Sequence, residues 1–212
     1  MNRVIVIDNP LAQYLLARIR DKNTPPSTFR KILEDLGFIL GYEISRLLKW
    51  DKIVVETPLA ETTGIKPKEK LYIIGILGAC IPLVQGMLKA LPWAGLGLVA
   101  ARRIEKEESI EIEVYYKRLL EDLSSYKVVI ADPMLATGYT ISTTIELLKE
   151  HKARDIIISS VISSKQGVDY LLEKYPDIRI VTIAIDPVLN SKWFIVPGLG
   201  DAGDRALNPD YL

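Results

Sequence analysis

A carboxylate, two threonine hydroxyls and a glycine lie within one short stretch of the chain, Asp132 to Thr140. A loop of small residues that opens a helix presents several backbone N–H groups and the positive end of the helix dipole to one point, which suits a phosphate group. The hydroxyls of Thr137 and Thr140 add further donors. Because like charges repel, the Asp132 carboxylate does not favour the phosphate itself, but it can accept hydrogen bonds from neighbouring sugar hydroxyls. The stretch therefore predicts a site for a ribose phosphate.

The flanking residues predict the strand and the helix that would position this loop. Residues 128–131 are uncharged and mostly β-branched, as in a strand buried on both faces. Pro133 cannot donate to a strand ladder, so the strand should end at Asp132. Apolar residues recur at i, i+4 and i+7 from Ile141, which predicts a helix, and Thr140 is its predicted cap. Ordinary strand-to-helix turns use the same residue types, so the loop composition alone leaves a structural turn as an alternative.

The composition excludes several classes of protein. The 212 residues suit one domain with a proper core, and 27 basic residues balance 27 acidic ones. This balance gives no electrostatic case for a nucleic acid or an anionic membrane as the main partner. A single cysteine, Cys80, excludes an internal disulfide framework and suits a reducing cytoplasm. One histidine, His151, leaves too few soft ligands for a zinc site, and we expect it to be a surface residue at a helix end rather than a general base.

One apolar stretch is long enough to raise the question of a membrane span. Residues 71–88 carry no charge, and a stretch of that length can cross a bilayer as a helix. Glycines and prolines such as Gly75 and Pro82 divide it into short pieces, which favours buried strands and a short helix. The first residues meet charges and then Pro10 too early for a signal peptide. The sequence therefore predicts neither a membrane span nor a leader.

Strands alternate with helices along the chain, which predicts an α/β fold whose central sheet is mostly parallel and flanked by helices. The predicted strands cover residues 1–8, 52–56, 71–77, 96–100, 128–131, 156–162 and 178–185, and the predicted helices cover residues 11–20, 27–50, 83–91, 141–149 and 168–175. Ser27 is the predicted cap of the second helix, and the polar residues 57–70 predict a loop or hairpin. Residues 102–113 predict a mobile hairpin that reaches off the sheet. In such folds ligands bind at the carboxyl ends of the strands.

The order of residues is more specific than these patterns. Asp-Pro-Met-Leu-Ala-Thr-Gly at 132–138, with Thr140 after it, resembles the phosphoribosyl pyrophosphate (PRPP) signature of the uracil phosphoribosyltransferases. Ile-Val-Pro-Gly-Leu-Gly-Asp-Ala-Gly-Asp-Arg at 195–205 resembles the uracil-binding segment of that family. The resemblance implies the type I phosphoribosyltransferase fold in a single domain, 1–212, with a mobile hairpin arm at 102–117 and a C-terminal base-binding segment at 190–212. It also implies the reaction of uracil with PRPP to give UMP and pyrophosphate, in pyrimidine salvage.

The resemblance also assigns roles to residues. It implies that the catalytic residues are Arg103, Asp132 and Asp201, and that Arg103 contacts the pyrophosphate. The residues implied in PRPP binding are Arg103, Asp132, Pro133, Met134, Leu135, Ala136, Thr137, Gly138, Tyr139, Thr140 and Asp201, and those implied in uracil binding are Ile195, Gly200, Asp201 and Ala202. No activated nucleophile is required, because displacement at the anomeric carbon passes through an oxocarbenium-like state. Mg²⁺ would be carried by the substrate, so no dedicated metal ligands are expected.

Regulation and assembly are further expectations from the family. Some members are activated by GTP and inhibited by CTP, and the candidate positions for the activator are Arg30 and Lys31. The resemblance also implies a cytoplasmic enzyme that forms a homodimer or a homotetramer.

Three departures from the family pattern leave alternatives open. Gly78 stands where the family usually has an arginine that faces the pyrophosphate, so a charge-assisted contact of about 1.5 to 3 kcal/mol would be missing unless Arg102, turn backbone or a neighbouring subunit replaces it. Tyr139 replaces a small residue, and residues 206–209 lack the usual Phe-Gly. One alternative is therefore a regulatory or nucleotide-binding protein of phosphoribosyltransferase fold with weak activity. Another is a transferase for a different base, such as a purine.

Overall fold

The computed structural model describes residues 3–106 and 109–210, and the side chains at 103, 105, 106 and 109–111 lie outside the description. The helices are α1 (Pro10–Arg20), α2 (Pro26–Ser45), α3 (Cys80–Ala90), α4 (Tyr139–Glu150), α5 (Lys165–Lys174) and α6 (Ala202–Leu207). The strands are β1 (Val4–Val6), β2 (Trp50–Glu56), β3 (Glu61–Pro67), β4 (Lys70–Leu77), β5 (Gly95–Lys106), β6 (Ser109–Arg118), β7 (Tyr126–Ala131), β8 (Met134–Leu135), β9 (Asp155–Ser164), β10 (Arg179–Asp186), β11 (Val188–Leu189) and β12 (Ile195–Val196).

A large sheet with the strand order β1-β10-β9-β7-β4-β5-β6 forms the centre of the molecule, and β8 joins it beside β9. Its neighbours pair in parallel except β5 and β6, which pair antiparallel. Because the carboxyl ends of parallel strands lie at one edge, the loops after β4, β7 and β9 meet there. This architecture confirms the predicted α/β fold with a mostly parallel sheet.

The two faces of the sheet carry separate apolar clusters. Helices α1, α2 and α3 cover one face, where Leu36 and Leu83 pack with Val129 of β7. Helices α4 and α5 cover the other face, where Ile145 and Leu171 pack with Ile130. Neighbouring residues of β7 thus point into opposite clusters, so this strand is buried on both faces, as its uncharged sequence predicts.

The apolar stretch at 71–88 forms a buried strand, β4, and part of α3. Helix α3 packs closely on α2, because a Cβ added at Gly86 would lie 1.8 Å from the carbonyl oxygen of Glu34, and one added at Gly37 would lie 2.0 Å from that of Leu83. Glycine therefore lets the two backbones approach within a distance that any side chain would prevent. In the part of the chain that the structure describes, no helix is both long and apolar enough to cross a membrane.

Both predicted helix caps are wrong. Helix α4 begins at Tyr139, directly after Gly138 with φ +82°, so Thr140 lies within the first turn instead of capping it. Helix α2 begins at Pro26 rather than after Ser27, because proline already has the backbone angle of a first helical residue. That helix ends at Ser45, well before the predicted end at residue 50.

The remaining element predictions are confirmed with shifted ends. The polar residues 57–70 include the turn and second strand of an antiparallel hairpin of β2 and β3. The described residues of 102–113 belong to β5 and β6, which pair antiparallel, and residues 107 and 108 lie outside the description. The mobility of that second hairpin stays a prediction. His151 follows the last residue of α4 as expected, and its Nδ1 lies 2.8 Å from the carbonyl oxygen of Leu120.

Replacing Gly86 with alanine should destabilise the protein, because the added methyl group must push α2 and α3 apart. We expect the free energy of unfolding in urea to fall by about 1 to 3 kcal/mol. Gln85→Ala on the exposed side of the same helix is the matched control and should change it by less than about 0.5 kcal/mol. Equal effects of the two substitutions would show that this helix crossing is not tight.

Candidate active site

The loop after β7 forms a small cavity. It encloses about 70 Å³ and is lined by Asp132, Met134, Leu135, Ala136, Thr137, Gly138, Thr140 and Ile141. The backbone N–H of Asp132 donates to the carbonyl of Ser159 at 3.1 Å, which ties the loop to β9. Helix α4 opens at this cavity without a side-chain cap at Gly138, and within its first turn only the N–H of Tyr139 has a described side-chain partner, the Thr137 hydroxyl at 3.4 Å. Other N–H groups of this turn are therefore available to an anion. The geometry suits a single phosphate group.

Helix α5 supports this loop from behind. The Ser164 hydroxyl donates to the carbonyl of Ala136 at 2.6 Å and accepts from the backbone N–H of Gly167 at 2.8 Å. A Cβ at Gly167 would lie 2.1 Å from that same carbonyl oxygen, so the start of α5 touches the loop directly. Sequence reasoning missed Ser164 and Gly167, although a serine three residues before a helical glycine is a recognisable cap signal.

Two residues of the predicted PRPP signature do not line a cavity. The carbonyl of Pro133 accepts hydrogen bonds from the backbone N–H groups of Val161 and Ile162, so this residue joins the loop to the sheet. The ring of Tyr139 packs edge-on against Tyr170 of α5, with ring centroids 5.2 Å apart. The bulky side chain at this position thus packs between α4 and α5, away from the phosphate cavity.

A larger cavity of about 350 Å³ opens beside the small one and joins distant parts of the chain. Asp132, Met134, Ala136 and Thr140 line it on one side. The turn of Gly78 and Ala79 after β4, Ala101 of β5, residues 192–194 and residues 200–203 line the rest. The structure therefore brings the predicted residues Asp132, Gly200, Asp201 and Ala202 to one cavity.

Ile195 behaves differently from the other residues predicted to bind the base. Its side chain is buried in the core at 3% exposure, and it pairs with Leu189 of β11. A Cβ at Gly198 would lie 2.0 Å from the carbonyl oxygen of Ile195. Its side chain therefore does not line the cavity, and any contact with a ligand is left to its backbone atoms.

Two arginines, the half-buried Arg20 and the buried Arg205, hold the C-terminal segment in place. Arg20 donates to both carboxylate oxygens of Asp186 at 2.7 Å, and also to the carbonyl of Gly198 at 2.8 Å. Arg205 donates to the carbonyls of Ile19 and Leu199 at 2.6 and 2.7 Å. Sequence reasoning assigned no role to Arg20 or Asp186, because their partners lie far away in the chain.

Asp201 and the helix that follows it are fixed locally. The Asp201 side chain accepts from the backbone N–H of Asp204 at 2.9 Å and so caps α6. The guanidinium of Arg30 donates to the carbonyl of Ala206 at 2.8 Å, which ties α6 to α2, and Lys31 is exposed nearby in sequence. The two positions predicted for a GTP activator therefore lie on the helix that holds the C-terminal segment.

Burial dominates the electrostatics of the cavity. It raises the pKa of Asp132 to about 7, although the backbone N–H of Met134 donates to this carboxylate and lowers the pKa. Burial, with the Asp132 charge nearby, raises the pKa of the Cys80 thiol to about 12. Cys80 therefore stays protonated at neutral pH and is not an activated nucleophile. Burial alone would raise the pKa of Asp186, but hydrogen bonds from Arg20 and Gly198 hold it below its ordinary value.

The site offers few groups that would hold a metal ion. No cluster of three or more histidine, cysteine or acidic residues suited to a metal occurs among the described residues. Two carboxylates, Asp132 and Asp201, lie on the larger cavity. This donor set fits Mg²⁺ that keeps most of its oxygen ligands from a substrate and water. The side chain of Arg103, predicted to contact pyrophosphate, lies outside the described residues.

Comparison with known proteins agrees with this arrangement. The family model described as uracil phosphoribosyltransferase matches residues 6–208. The uracil phosphoribosyltransferase of Pyrobaculum arsenaticum is 48% identical over 206 residues, which cover 96% of this chain and 98% of that protein. That of Aeropyrum pernix is 45% identical over 206 residues, which cover 97% of this chain and 96% of that protein.

Solved structures agree as well. The AQ2163 protein from Aquifex aeolicus superposes with a TM-score of 0.88 at 31% identity, covering 96% of this chain and 97% of that one. A hypoxanthine phosphoribosyltransferase from Staphylococcus aureus superposes with a TM-score of 0.51 at 13% identity over 73% of each chain, which shows the fold alone. The fold is thus that of the type I phosphoribosyltransferases, and the chain belongs to the uracil phosphoribosyltransferase family.

Proposed function

We propose that the two cavities beside Asp132 form the active site in which this chain transfers the phosphoribosyl group of PRPP to uracil, releasing UMP and pyrophosphate. The observation that carries the proposal is the position of Asp132 and Asp201 on one cavity, with the small phosphate-sized cavity next to it. The family membership supports uracil as the base. We treat residues 1–212 as a single domain for this activity.

Each part of the site has a physical task in this reaction. The loop at 134–138 and the first turn of α4 bind the 5-phosphate, and the Asp132 carboxylate accepts hydrogen bonds from the ribose hydroxyls. The C–O bond to pyrophosphate breaks as a bond from uracil N1 to the anomeric carbon forms, and the N1 proton passes to the departing pyrophosphate or to water. The protein therefore mainly has to align the two reactants and stabilise developing charge. No side chain needs to attack the sugar.

The backbone around Asp201 is suited to selecting uracil. Gly200 has φ +77°, which L side chains rarely adopt, and it lies on the cavity wall beside Asp201 and Ala202. Backbone N–H and C=O groups here can read the alternating acceptors and donor of the uracil edge. Cytosine would place a donor where uracil has an acceptor, leaving a buried pair unsatisfied.

Mg²⁺ carried by the substrate would supply charge neutralisation, and Asp132 and Asp201 are the described carboxylates of the cavity that could help to hold it. We also propose that GTP activates and CTP inhibits the protein, with Arg30 and Lys31 as the activator positions. The bond from Arg30 to Ala206 supports this idea, because it joins those positions to the base-binding segment.

We further propose that the protein is a cytoplasmic homodimer or homotetramer. The support for self-association is the hairpin of β2 and β3, where Val54, Leu59 and Ile65 are 72%, 96% and 63% exposed. Apolar side chains exposed together on one element mark an interaction surface.

A turnover assay tests the proposal directly. Purified protein with labelled uracil, PRPP and Mg²⁺ should release UMP and pyrophosphate in equal amounts. A regulatory protein of the same fold would bind PRPP or nucleotide without releasing pyrophosphate. Faster turnover with hypoxanthine, adenine or cytosine than with uracil would instead assign the protein to another base.

Activity should depend on the ionisation of Asp132. The carboxylate accepts from both ribose hydroxyls best when it is ionised, so kcat/KM for PRPP should rise with pH, reach half of its limit near pH 7 and level off about one pH unit above that. Asp132→Asn should lower kcat/KM at pH 8 by about 10- to 100-fold and remove this limb of the profile. Ionisation of PRPP itself affects both proteins equally, so parallel profiles would contradict the assignment.

The support from α5 should matter for PRPP binding. Ser164→Ala removes the hydrogen bond to Ala136 and should raise the KM for PRPP by about 3- to 10-fold with little change in kcat. Ser159→Ala is the matched control, since its hydroxyl is buried in the same strand and has no hydrogen-bond partner among the described residues. An unchanged KM in Ser164→Ala would show that α5 does not position the loop.

A further inference from the structure

The charge balance of the larger cavity is unusual for a site that binds a polyanion. Its described charged side chains are those of Asp132, Asp201 and Lys192. PRPP carries phosphates at both ends of the sugar, and two carboxylates repel them. Gly78, at the turn where the family pattern has an arginine, offers no compensating charge. Lys192 is thus the cation that the described lining presents to the substrate.

A tight turn fixes the position of Lys192. The Asn190 side chain accepts from the backbone N–H groups of Lys192 at 2.9 Å and Phe194 at 3.0 Å. The backbone N–H of Asn190 donates to the carbonyl of Phe194, and that of Trp193 donates to the carbonyl of Asn190, both at 2.9 Å. These four bonds fix the shape of the turn at 190–194, and residues 192–194 of this turn line the cavity.

Trp193 adds a second observation at this turn. It has φ +63°, a conformation that a bulky side chain rarely adopts. Backbone strain of this kind persists where surrounding bonds enforce it, and it occurs preferentially at ligand-binding sites. A turn without this positive φ would place residues 192–194 differently.

Lys192 forms no ion pair within the described part of the chain, whereas Lys127, for example, pairs with Asp155. Arg102 of β5 forms an exposed ion pair with Glu113 of β6 at 2.6 Å. The ammonium group of Lys192 can therefore bind a substrate without losing an ion pair to a described residue, whereas Arg102 would have to leave Glu113.

We propose that Lys192 binds the pyrophosphate group of PRPP and replaces the arginine that is absent at position 78. The inference rests on the proposed function, because it assigns a further substrate-binding residue to that site. It places the compensating charge on the C-terminal segment, which lines the same cavity as the turn of Gly78 and Ala79.

The proposal that Lys192 replaces an arginine at position 78 can be tested by placing an arginine there, because a side chain at position 78 has room. A Cβ at Gly78 would meet a single atom within 4 Å, the far end of Leu207 at 3.1 Å. Gly78 is exposed and does not have a positive φ, so an arginine fits its backbone. The variant Gly78→Arg should therefore fold.

The first measurement compares Lys192→Gln with the wild type. We expect the affinity for PRPP with Mg²⁺, measured by calorimetry without uracil, to fall by about tenfold, and the KM for PRPP to rise similarly. The KM for uracil should stay within about twofold, and Lys192→Arg should retain most of the affinity. Lys52→Gln, an exposed lysine on the hairpin of β2 and β3, is the control and should change neither value.

The second measurement tests replacement of one charge by the other. Gly78→Arg should restore PRPP affinity by about tenfold in the Lys192→Gln background and by clearly less in the wild type, because both cations serve the same anion. Unchanged PRPP affinity in Lys192→Gln, a rise in the uracil KM alone, or equal effects of Gly78→Arg in both backgrounds would each overturn the inference. Binding without uracil does not require turnover, so these results are distinct from failure of the proposed reaction.

Discussion

The C-terminal segment that carries Asp201 contributes no strand to the large sheet, so the site depends on the largely buried hydrogen bonds that hold this segment. Arg20 joins it to Asp186 at the end of β10, and Arg205 joins it to the carbonyl of Ile19 near the end of α1. Each bond reaches across more than a hundred residues of sequence. Charge-assisted bonds in a buried setting are strong, and losing one partner leaves the other buried without compensation. The position of Asp201 relative to Asp132 therefore depends on two arginines that are not part of the lining of the larger cavity.

The charge of Asp132 serves substrate binding but lowers the stability of the folded protein. Burial raises its pKa to about 7, so the folded chain binds its proton more tightly than the unfolded chain, whose ordinary value is near 3.8. The stability that this proton contributes is present below about pH 4 and is lost as pH rises through 7. At neutral pH the protein therefore holds a partly ionised carboxylate at some cost to its stability. A ribose hydroxyl that donates to the carboxylate would relieve that cost, which couples substrate binding to the charge.

The sequence predicted the parts of the site that follow from chain direction and buried patterns. The uncharged, mostly β-branched residues 128–131 and Pro133 predicted where β7 ends. Parallel pairing predicted that the loops after β4 and β7 lie at one edge of the sheet. Ser27 and Thr140 were wrongly predicted to cap α2 and α4. Proline and a glycine in the left-handed conformation determine where those two helices begin. The supports Ser164 and Arg20 escaped prediction because their partners are distant in sequence and their roles exist only in the folded chain.

The departures from the family pattern have local counterparts in this structure. The ring of Tyr139 would crowd the phosphate loop if it pointed inward, but it packs on Tyr170 of α5, so the substitution extends the helix contact and leaves the cavity open. Gly78, which lacks the charge of the family arginine, lines the same cavity as a strained turn. In that turn Trp193 has a positive φ, which costs about 1 to 3 kcal/mol. Such a cost persists only if the turn gains something from its conformation, and the turn lines the same cavity as Gly78. Tyr139 and Gly78 both depart from the family pattern, and each has a counterpart that only the fold brings to it. The counterpart of Tyr139 is Tyr170, and that of Gly78 is the turn at 192–194.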